Sequence, residues 1–253
     1  MRQYFLPTLT FIIILLLWQL IVTWFHIEQW IIPTPLKIID SFWQSRSLIF
    51  YHMIPTVLEA LIGLFCATIL GIFIAILMER SDVVKKIIYP FLIISQTVPF
   101  ITLAPLLTLW FGFGLLPKII IIILVCFFPI TISLFDGLSS VDPKTIKLLT
   151  SMGATRGQIL KWVKWPSSLP TFFSGLKIAG AYAVLGAVIS EWVGSDRGLG
   201  ILLTRSAKSY LVDRVFATVG IITILSIIVI LAIEGITRIT IPWNYYKLKT
   251  KKI

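Results

Sequence analysis

Few side chains in this sequence could act as nucleophiles, general bases or metal ligands. There are two cysteines, Cys66 and Cys126, and two histidines, His26 and His52. Their spacing matches neither CxxC nor HExxH, so neither a metal site nor a disulfide is indicated. The sequence also lacks a Gly-x-Ser-x-Gly motif and paired aspartates within an apolar run. We therefore expect no catalytic residue and no bound cofactor or metal, and an enzyme is a disfavoured alternative.

The residues best suited to contact a soluble partner lie at 142–166, the longest polar interruption of an apolar chain. Asp142 can cap a helix whose first residue is a proline. Thr155 and Gln158 have the spacing of a capping box, which marks the start of a second helix. Gly153 lies between the two and can interrupt the chain there. We predict a helix–glycine–helix elbow, and we call residues 142–166 the elbow.

The first helix of the elbow is expected to be amphipathic. Ile146, Leu149, Met152 and Leu148 are predicted to share one face at helical spacing. Such a face could bind a partner protein, or it could lie on the lipid surface with no partner.

The composition requires a membrane to hold these elements. Of 253 residues, 58% are hydrophobic and 13% charged, which is typical of an integral membrane protein. Continuous apolar runs of about twenty residues favour helices over a barrel. The net charge of +11 is explained by loops at the membrane surface, so nucleic acid is not an expected partner. Six spans are predicted, at residues 5–25, 57–78, 87–111, 115–135, 172–193 and 215–237.

The orientation of the spans follows from Lys and Arg in the connecting segments. The side that carries the elbow and both termini has the larger share of them, so this side is predicted to be cytoplasmic. The C-terminal segment contributes Lys247, Lys249, Lys251 and Lys252. The segment 194–214 does not fit this orientation well, because its four basic residues are then placed outside.

The elbow carries a family resemblance. Gly153, separated by nine residues from Val163-Lys164-Trp165-Pro166, resembles the cytoplasmic loop of inner-membrane permease subunits of ATP-binding-cassette (ABC) importers. That family's loop opens with Glu-Ala-Ala and ends Ile-x-Leu-Pro. Here Lys147-Leu148-Leu149 replaces the opening, and Val and Trp replace Ile and Leu, so the match is partial.

Other segments resemble the permeases for nitrate, sulfonates, taurine and thiamine precursors. These segments are 31–35 (Ile-Ile-Pro-Thr-Pro), 102–106 (Thr-Leu-Ala-Pro-Leu), 110–114 (Trp-Phe-Gly-Phe-Gly), 175–177 (Gly-Leu-Lys), 190–193 (Ser-Glu-Trp-Val) and 198–200 (Gly-Leu-Gly). Together they extend over most of the chain.

The resemblance implies a fold and a set of partners. It implies an all-α, polytopic, type I ABC importer permease with six transmembrane helices, forming one domain (1–253) with a cytoplasmic coupling loop at about 136–171. It implies two such permeases in the inner or plasma membrane of a bacterial cell, surrounded by lipid. A cytoplasmic ABC ATPase dimer would carry ATP and Mg, since this chain has no phosphate-binding Gly-x-x-x-x-Gly-Lys motif, and an extracytoplasmic binding protein would deliver the solute. The residues expected to couple to the ATPase are Lys147, Leu148, Leu149, Met152, Gly153, Ala154, Thr155, Arg156 and Pro166.

Polar residues within the spans are candidates for a translocation path. The third span contains three prolines, which free backbone carbonyls and suit either a path or a kinked packing helix. The path candidates are Gln96, Thr97, Thr102, Tyr182, Ser190 and Glu191. Interhelical packing is the alternative for the polar groups. Lys177 is expected to reach the cytoplasmic interface. Glu191 is expected at the outer mouth, where it could gate the solute, contact the delivering protein, or pair with Arg197 or Arg205. Glu59 is expected at an interface.

The predicted function is therefore an ATP-driven importer permease for a small solute, with a thiamine pyrimidine precursor preferred. A sulfonate, taurine or nitrate permease is the alternative within the family. An ion-coupled transporter or channel is the alternative outside it, although it would favour carboxylates near mid-span and internal repeats.

Overall fold

The computed structural model describes residues 2–244, with side chains from residue 5 onward, and contains no strand in that range. The four C-terminal lysines, Lys247, Lys249, Lys251 and Lys252, lie outside the described residues. The described helices are α1 (Arg2–Trp24), α2 (Pro35–Arg80), α3 (Asp82–Ser95), α4 (Phe100–Phe111), α5 (Leu115–Ser139), α6 (Pro143–Ser151), α7 (Arg156–Ile159), a π-helical segment (Leu160–Lys164), α8 (Trp165–Glu191), α9 (Leu199–Lys208) and α10 (Val212–Thr240).

Six spans are present if the bent pair α3–α4 counts as one. The other five are α1, α2, α5, α8 with the helical turns before it, and α10, each long and apolar enough to cross a membrane. The predicted all-α polytopic fold is therefore confirmed.

α2 begins much earlier than predicted. The segment before residue 57 was expected to be a loop, yet it is helical from Pro35 onward. Thr34 caps the helix by accepting a hydrogen bond from the Lys37 N–H at 3.3 Å, and proline at the first helical position is favourable. With 46 residues, α2 is about 69 Å long, which exceeds the hydrocarbon core of a bilayer.

The third span is broken, in line with its predicted irregularity. α3 ends at Ser95, α4 begins at Phe100, and the two helices meet at an angle of 102°. Pro99 precedes the first residue of α4 in an extended conformation, which excludes a continuous helix through this point.

The core lies where α2, α5 and α8 pack together, and glycines permit the close approach. A Cβ at Gly71 of α2 would meet the Ile130 side chain at 2.8 Å. Gly175 of α8 lies directly against the Pro129 carbonyl and Ser133 of α5. Small residues at such contacts let helix backbones approach closely in membranes.

Lys177 of α8 forms an ion pair with Glu234 of α10, although we expected it only to reach toward the interface. The two side chains are 31% and 23% exposed. The Glu234 carboxylate therefore stabilises the Lys177 ammonium group, for which the sequence led us to expect solvation by water at the interface.

Candidate functional site

The first half of the elbow has the predicted helix start. The Asp142 side chain accepts a hydrogen bond from the Lys144 N–H at 2.9 Å, and Pro143 is the first residue of α6. α6 ends at Ser151, and Gly153 follows with φ of +89°. This left-handed conformation is favoured at glycine. The Ala154 N–H then donates to the Leu149 carbonyl at 3.0 Å, which closes the turn.

The second half begins with the predicted capping box. The Gln158 N–H donates to Thr155 Oγ1 at 3.3 Å, and the Thr155 N–H donates to Gln158 Oε1 at 2.8 Å. This reciprocal pair satisfies two N–H groups that a helix start otherwise leaves open. Pro166 lies in the first turn of α8, where its missing N–H costs little.

The apolar side chains of α6 divide between two faces. Ile146 and Leu149 are half-buried, whereas Leu148 is 61% and Met152 75% exposed. The prediction that all four share one face was wrong. Leu148 lies within α6 but is not on the half-buried face of Ile146 and Leu149. Met152 lies in the turn that follows Ser151. In the described chain no residue of α6 is fully buried. Trp162, in the π-helical segment of the elbow, is a third large apolar side chain with high exposure, at 70%.

The residues predicted to couple to an ATPase lie around the turn. Their exposed members are Lys147, Leu148, Met152, Gly153, Thr155 and Arg156, and their half-buried members are Leu149, Ala154 and Pro166. Six of the nine are therefore accessible to a partner, and the role of all nine in coupling stays a prediction.

An ion pair joins the elbow to α2. Lys164 of the π-helical segment pairs with Glu79, which lies one residue before the end of α2. A cavity of about 750 Å³ lies between these elements, lined also by Arg80, Thr150 and Arg156. The elbow is thus attached to the long helix and is not a free loop.

A second polar site lies where α8 and α2 meet α9. We call it the buried polar cluster, and it consists of His52, Thr56, Glu59, Lys118 and Glu191 with the backbone N–H groups of Gly198, Leu199 and Gly200. Each N–H has its own acceptor. Gly198 donates to His52 Nδ1 at 3.0 Å, Leu199 to Thr56 Oγ1 at 2.9 Å and Gly200 to Glu191 Oε2 at 2.7 Å.

The cluster therefore caps α9 with side chains from two other helices. Gly198, with φ of +136°, offers no side chain that could cap the helix itself. A carboxylate at a helix N-terminus also interacts favourably with the helix dipole. The Thr56 hydroxyl donates to Glu191 Oε1 at 2.6 Å, which fixes the carboxylate.

We expected Glu191 at an open outer mouth, and this prediction was wrong. Its side chain is completely buried. Neither predicted arginine is needed, because Thr56 and Gly200 already satisfy the carboxylate, while Arg197 lies over the Tyr51 ring at 4.6 Å. Burial and two hydrogen bonds make Glu191 a structural anchor of α9 in this arrangement.

Glu59 is also buried, at 4% exposure, and not interfacial as predicted. Lys118 of α5 donates to Glu59 Oε1 at 2.6 Å. Charge interactions connect Glu191 with both Glu59 and Lys118. The lysine thus offsets the repulsion between two buried carboxylates.

The other predicted path residues differ in their exposure and bond within their own helical turns where a bond is seen. Thr97 and Thr102 are exposed and donate to carbonyls of their own turns, Ile94 and Pro99. Gln96 is half-buried, at the break between α3 and α4, and Tyr182 is 42% exposed in the middle of α8. Ser190 is buried and donates to the Ala187 carbonyl at 2.7 Å. Whether these residues line a path stays a prediction.

His52, Thr56 and Lys118 were missed as site residues. The signal was present, because His52, Thr56 and Glu59 are spaced by four and three residues and therefore share one face of a helix. We had placed His52 and Thr56 outside the second span, so this face was not recognised. No group of three or more His, Cys, Asp or Glu that could hold a metal occurs among the described residues.

The fold is that of a permease from a type I ABC importer. Chains of two solved structures superpose on it, from the inward-facing MetNI methionine ABC transporter and from an amino acid ABC transporter with histidines. Their TM-scores are 0.64 and 0.62 at 19% and 16% identity. The first match covers 82% of this chain and 97% of that chain, and the second covers 80% and 96%.

The chain belongs to the family of binding-protein-dependent transport system inner membrane components, whose model matches residues 67–243. It is 36% identical over 239 residues to the formylaminopyrimidine transport permease protein ThiX of Halalkalibacterium halodurans, covering 94% of this chain and 95% of that protein. It is 28% identical over 250 residues to the taurine transport system permease protein TauC of Escherichia coli, covering 96% and 91%. The family predicted from the elbow is therefore confirmed, and the chain is an ABC importer permease subunit.

Proposed function

We propose that this permease moves a small heteroaromatic solute of the formylaminopyrimidine type, driven by ATP hydrolysis on a separate chain. In this proposal two copies of the chain pair around the path. A cytoplasmic ATPase dimer binds one elbow from each copy, and an extracytoplasmic binding protein delivers the solute. ATP and Mg would bind to the partner ATPase.

The observation that carries the coupling role is the exposed apolar surface of the elbow. Leu148, Met152 and Trp162 are each more than 60% exposed, on the most polar segment of the chain. Side chains of this size contribute about 1.5 to 3 kcal/mol each when they are buried. An ATPase groove that covered them would gain binding energy at the place where the chain turns sharply.

Because the elbow is attached to α2 and α8, an ATPase that moves the elbow would also move these helices. Lys164 holds the elbow to Glu79 of α2, and the π-helical segment joins it directly to α8. A shift of the elbow would therefore act on two spanning helices at once. A bistable arrangement of helices that both ATP and solute bias is sufficient for alternating access.

The solute class rests on sequence similarity. At 36% identity, the permease named for formylaminopyrimidine is more similar to this chain than TauC at 28%. Taurine or another sulfonate is the second candidate, favoured by the match to TauC over 96% of this chain.

The test is to purify the chain from its native membrane through an affinity tag and to measure ATP hydrolysis by the complex. We expect an ATPase with a Walker motif to co-purify in a two-to-two ratio. Its activity should rise with the cognate binding protein and a formylaminopyrimidine. Stimulation by taurine in its place would replace the first solute with the second, and a chain that transports without any ATPase would contradict the coupling role.

A variant at the turn separates coupling from folding. Gly153→Trp adds bulk at an exposed position whose φ is +89°, and we expect it to abolish solute-stimulated hydrolysis while membrane insertion persists. Gly220→Trp is the matched control, because this exposed glycine of α10 lies far from the elbow in sequence and faces open space in the described structure. Normal stimulation in Gly153→Trp would overturn the proposed docking surface.

A further inference from the structure

An apolar groove lies along the seam between α1 and α10. It has a volume of about 520 Å³, and its walls include Ile14, Leu17, Trp18 and Ile21 of α1 and Phe216 of α10. The Trp18 and Phe216 rings contact each other, with centroids 5.7 Å apart. α1 is otherwise loosely packed, since only 6% of its apolar window is buried. The groove is therefore open to the surroundings of a spanning helix, which are lipid or another protein chain.

A polar recess continues this groove on the side opposite the elbow. It has a volume of about 730 Å³ and shares Val22 and Ile27 with the groove. Glu28 and Asp213 supply two carboxylates to its lining, and Trp30 supplies an aromatic ring. No Lys or Arg lines the recess in the part of the chain that the structure describes. The recess is consequently negative, and the groove below it is apolar.

Trp18 has an unusual environment at this seam. Its indole N–H is shielded from water and has no acceptor among the described residues. Leaving a buried donor unpaired is costly. Because water cannot reach this N–H, a lipid oxygen cannot bind it without a shift of the indole ring, so the shape and charge of the groove and recess select the occupant.

The backbone around the recess is also unusual. His26 and Tyr210 both line it, with φ of +50° and +56°, and they are the described non-glycine residues with positive φ. Residues held in sparsely populated conformations tend to cluster at functional sites. Here they come from two separate connections, one before α2 and one before α10.

We propose that the groove and recess together bind one phospholipid with an ammonium headgroup, from the leaflet opposite the elbow. An acyl chain fills the groove, where water would be excluded by apolar walls. The ammonium group lies in the recess near Glu28 and Asp213, with the Trp30 ring available for a cation–π contact. This lipid site goes beyond the transport function and does not depend on the solute.

The occupant follows from charge and position. An anionic headgroup such as phosphatidylglycerol would meet two carboxylates and no cation in the recess, which is unfavourable. A second copy of the chain would have to place apolar side chains in the groove and a cation in the recess at the same time. Phosphatidylethanolamine combines an apolar chain and an ammonium group in one molecule.

The experiment is a native mass spectrometry titration of the delipidated, detergent-purified transporter. Phosphatidylethanolamine and phosphatidylglycerol with identical acyl chains are added separately. We expect the wild type to prefer phosphatidylethanolamine by about tenfold. The double variant Glu28→Gln with Asp213→Asn should lose this preference, whereas Asp40→Asn, an exposed carboxylate outside the recess, should keep it.

Two further variants separate the groove from the recess. Ile21→Trp should reduce binding of both lipids by filling the groove, and Trp18→Phe should weaken both without changing their ratio. Equal binding of the two lipids to the wild type, or an unchanged preference in the double variant, would overturn the proposal. A change in the number of protein copies per particle in Ile21→Trp, with lipid binding unaltered, would instead show that a second copy occupies the seam.

Discussion

Glu191 and Gly200 are nine residues apart, and the Gly200 N–H donates to Glu191 Oε2 at 2.7 Å. This bond joins the end of α8 to the start of α9 and reverses the chain between them. Gly200 can lie there because it has no side chain, since a Cβ would meet the Val188 carbonyl oxygen and, at 3.0 Å, the Glu191 Cβ. The carboxylate and the glycines around it are therefore parts of one turn.

Replacing Glu191 with alanine should destabilise the protein strongly. The change leaves the Gly200 N–H without its buried acceptor, while the Thr56 hydroxyl loses its bond to Glu191 and keeps the His52 carbonyl at 3.2 Å, so we expect the free energy of unfolding to fall by about 2 kcal/mol. Thermal unfolding in detergent would measure this. Asp196→Asn, in the same connection but exposed, is the control and should change the unfolding midpoint little. Equal midpoints for the two variants would contradict the capping role.

Gly198→Ala should lower the stability of the protein more than the addition of one methyl group would suggest. The residue has φ of +136°, which costs about 1 to 3 kcal/mol for a residue with a side chain. In addition, its Cβ would lie on the Glu191 carboxylate. Gly220→Ala in the middle of α10, where a Cβ meets open space in the described structure, should instead stabilise by about 0.5 to 1 kcal/mol. A stability ranking of the two variants by thermal unfolding checks this, and the reverse order would refute it.

Glu59 and Lys118 should behave as a coupled pair. Removing either charge alone leaves the other buried and unpaired, which costs about 3 kcal/mol. The double variant Glu59→Leu with Lys118→Met replaces both groups with apolar ones and should recover much of that loss. A double-mutant cycle on unfolding free energies measures the coupling. Additive losses would mean that the two groups do not depend on each other.

Gly175→Leu should separate α8 from α5. The glycine packs against the Pro129 carbonyl and Ser133, so any larger side chain must push the two helices apart. We expect poor accumulation in the membrane and a lower unfolding temperature. Gly235→Leu, on α10 with open space around it in the described chain, should accumulate normally and serves as the comparison.

The orientation predicted from Lys and Arg can be tested with single cysteines. Ser151 at the end of α6 and Ser209 at the end of α9 are both exposed. In a background without Cys66 and Cys126, a membrane-impermeant reagent should label Ser209→Cys in intact cells. It should label Ser151→Cys in inside-out vesicles alone. Labelling of Ser151→Cys from outside would reverse the topology.

The elbow was largely predictable, because its signals are local. Asp142, Gly153 and the Thr155–Gln158 pair each act on neighbours within a few residues, and all three appear as expected. Local signals also explain part of the one error there. They mark where a helix starts more clearly than where it ends, so Met152 was assigned to a face that it does not share.

The buried polar cluster was not predictable in the same way. Glu191 bonds to Thr56 across 135 positions and Glu59 to Lys118 across 59. The sequence showed isolated polar residues, each of which could be explained by a nearby interface. Their burial follows from the packing of α2, α5, α8 and α9, and only the extension of α2 beyond the predicted span brings His52 and Thr56 into reach.

That extended helix also contacts both the elbow and the buried polar cluster. Thr56 contacts the start of α9, and Glu79 holds Lys164 of the elbow. Thr56 and Glu79 are 23 positions apart, about 35 Å along the helix, without a proline between them. α2 is thus a single helix that reaches from the elbow to the start of α9. If the elbow moves, α2 would carry the displacement to the opposite side without a relay of separate side chains.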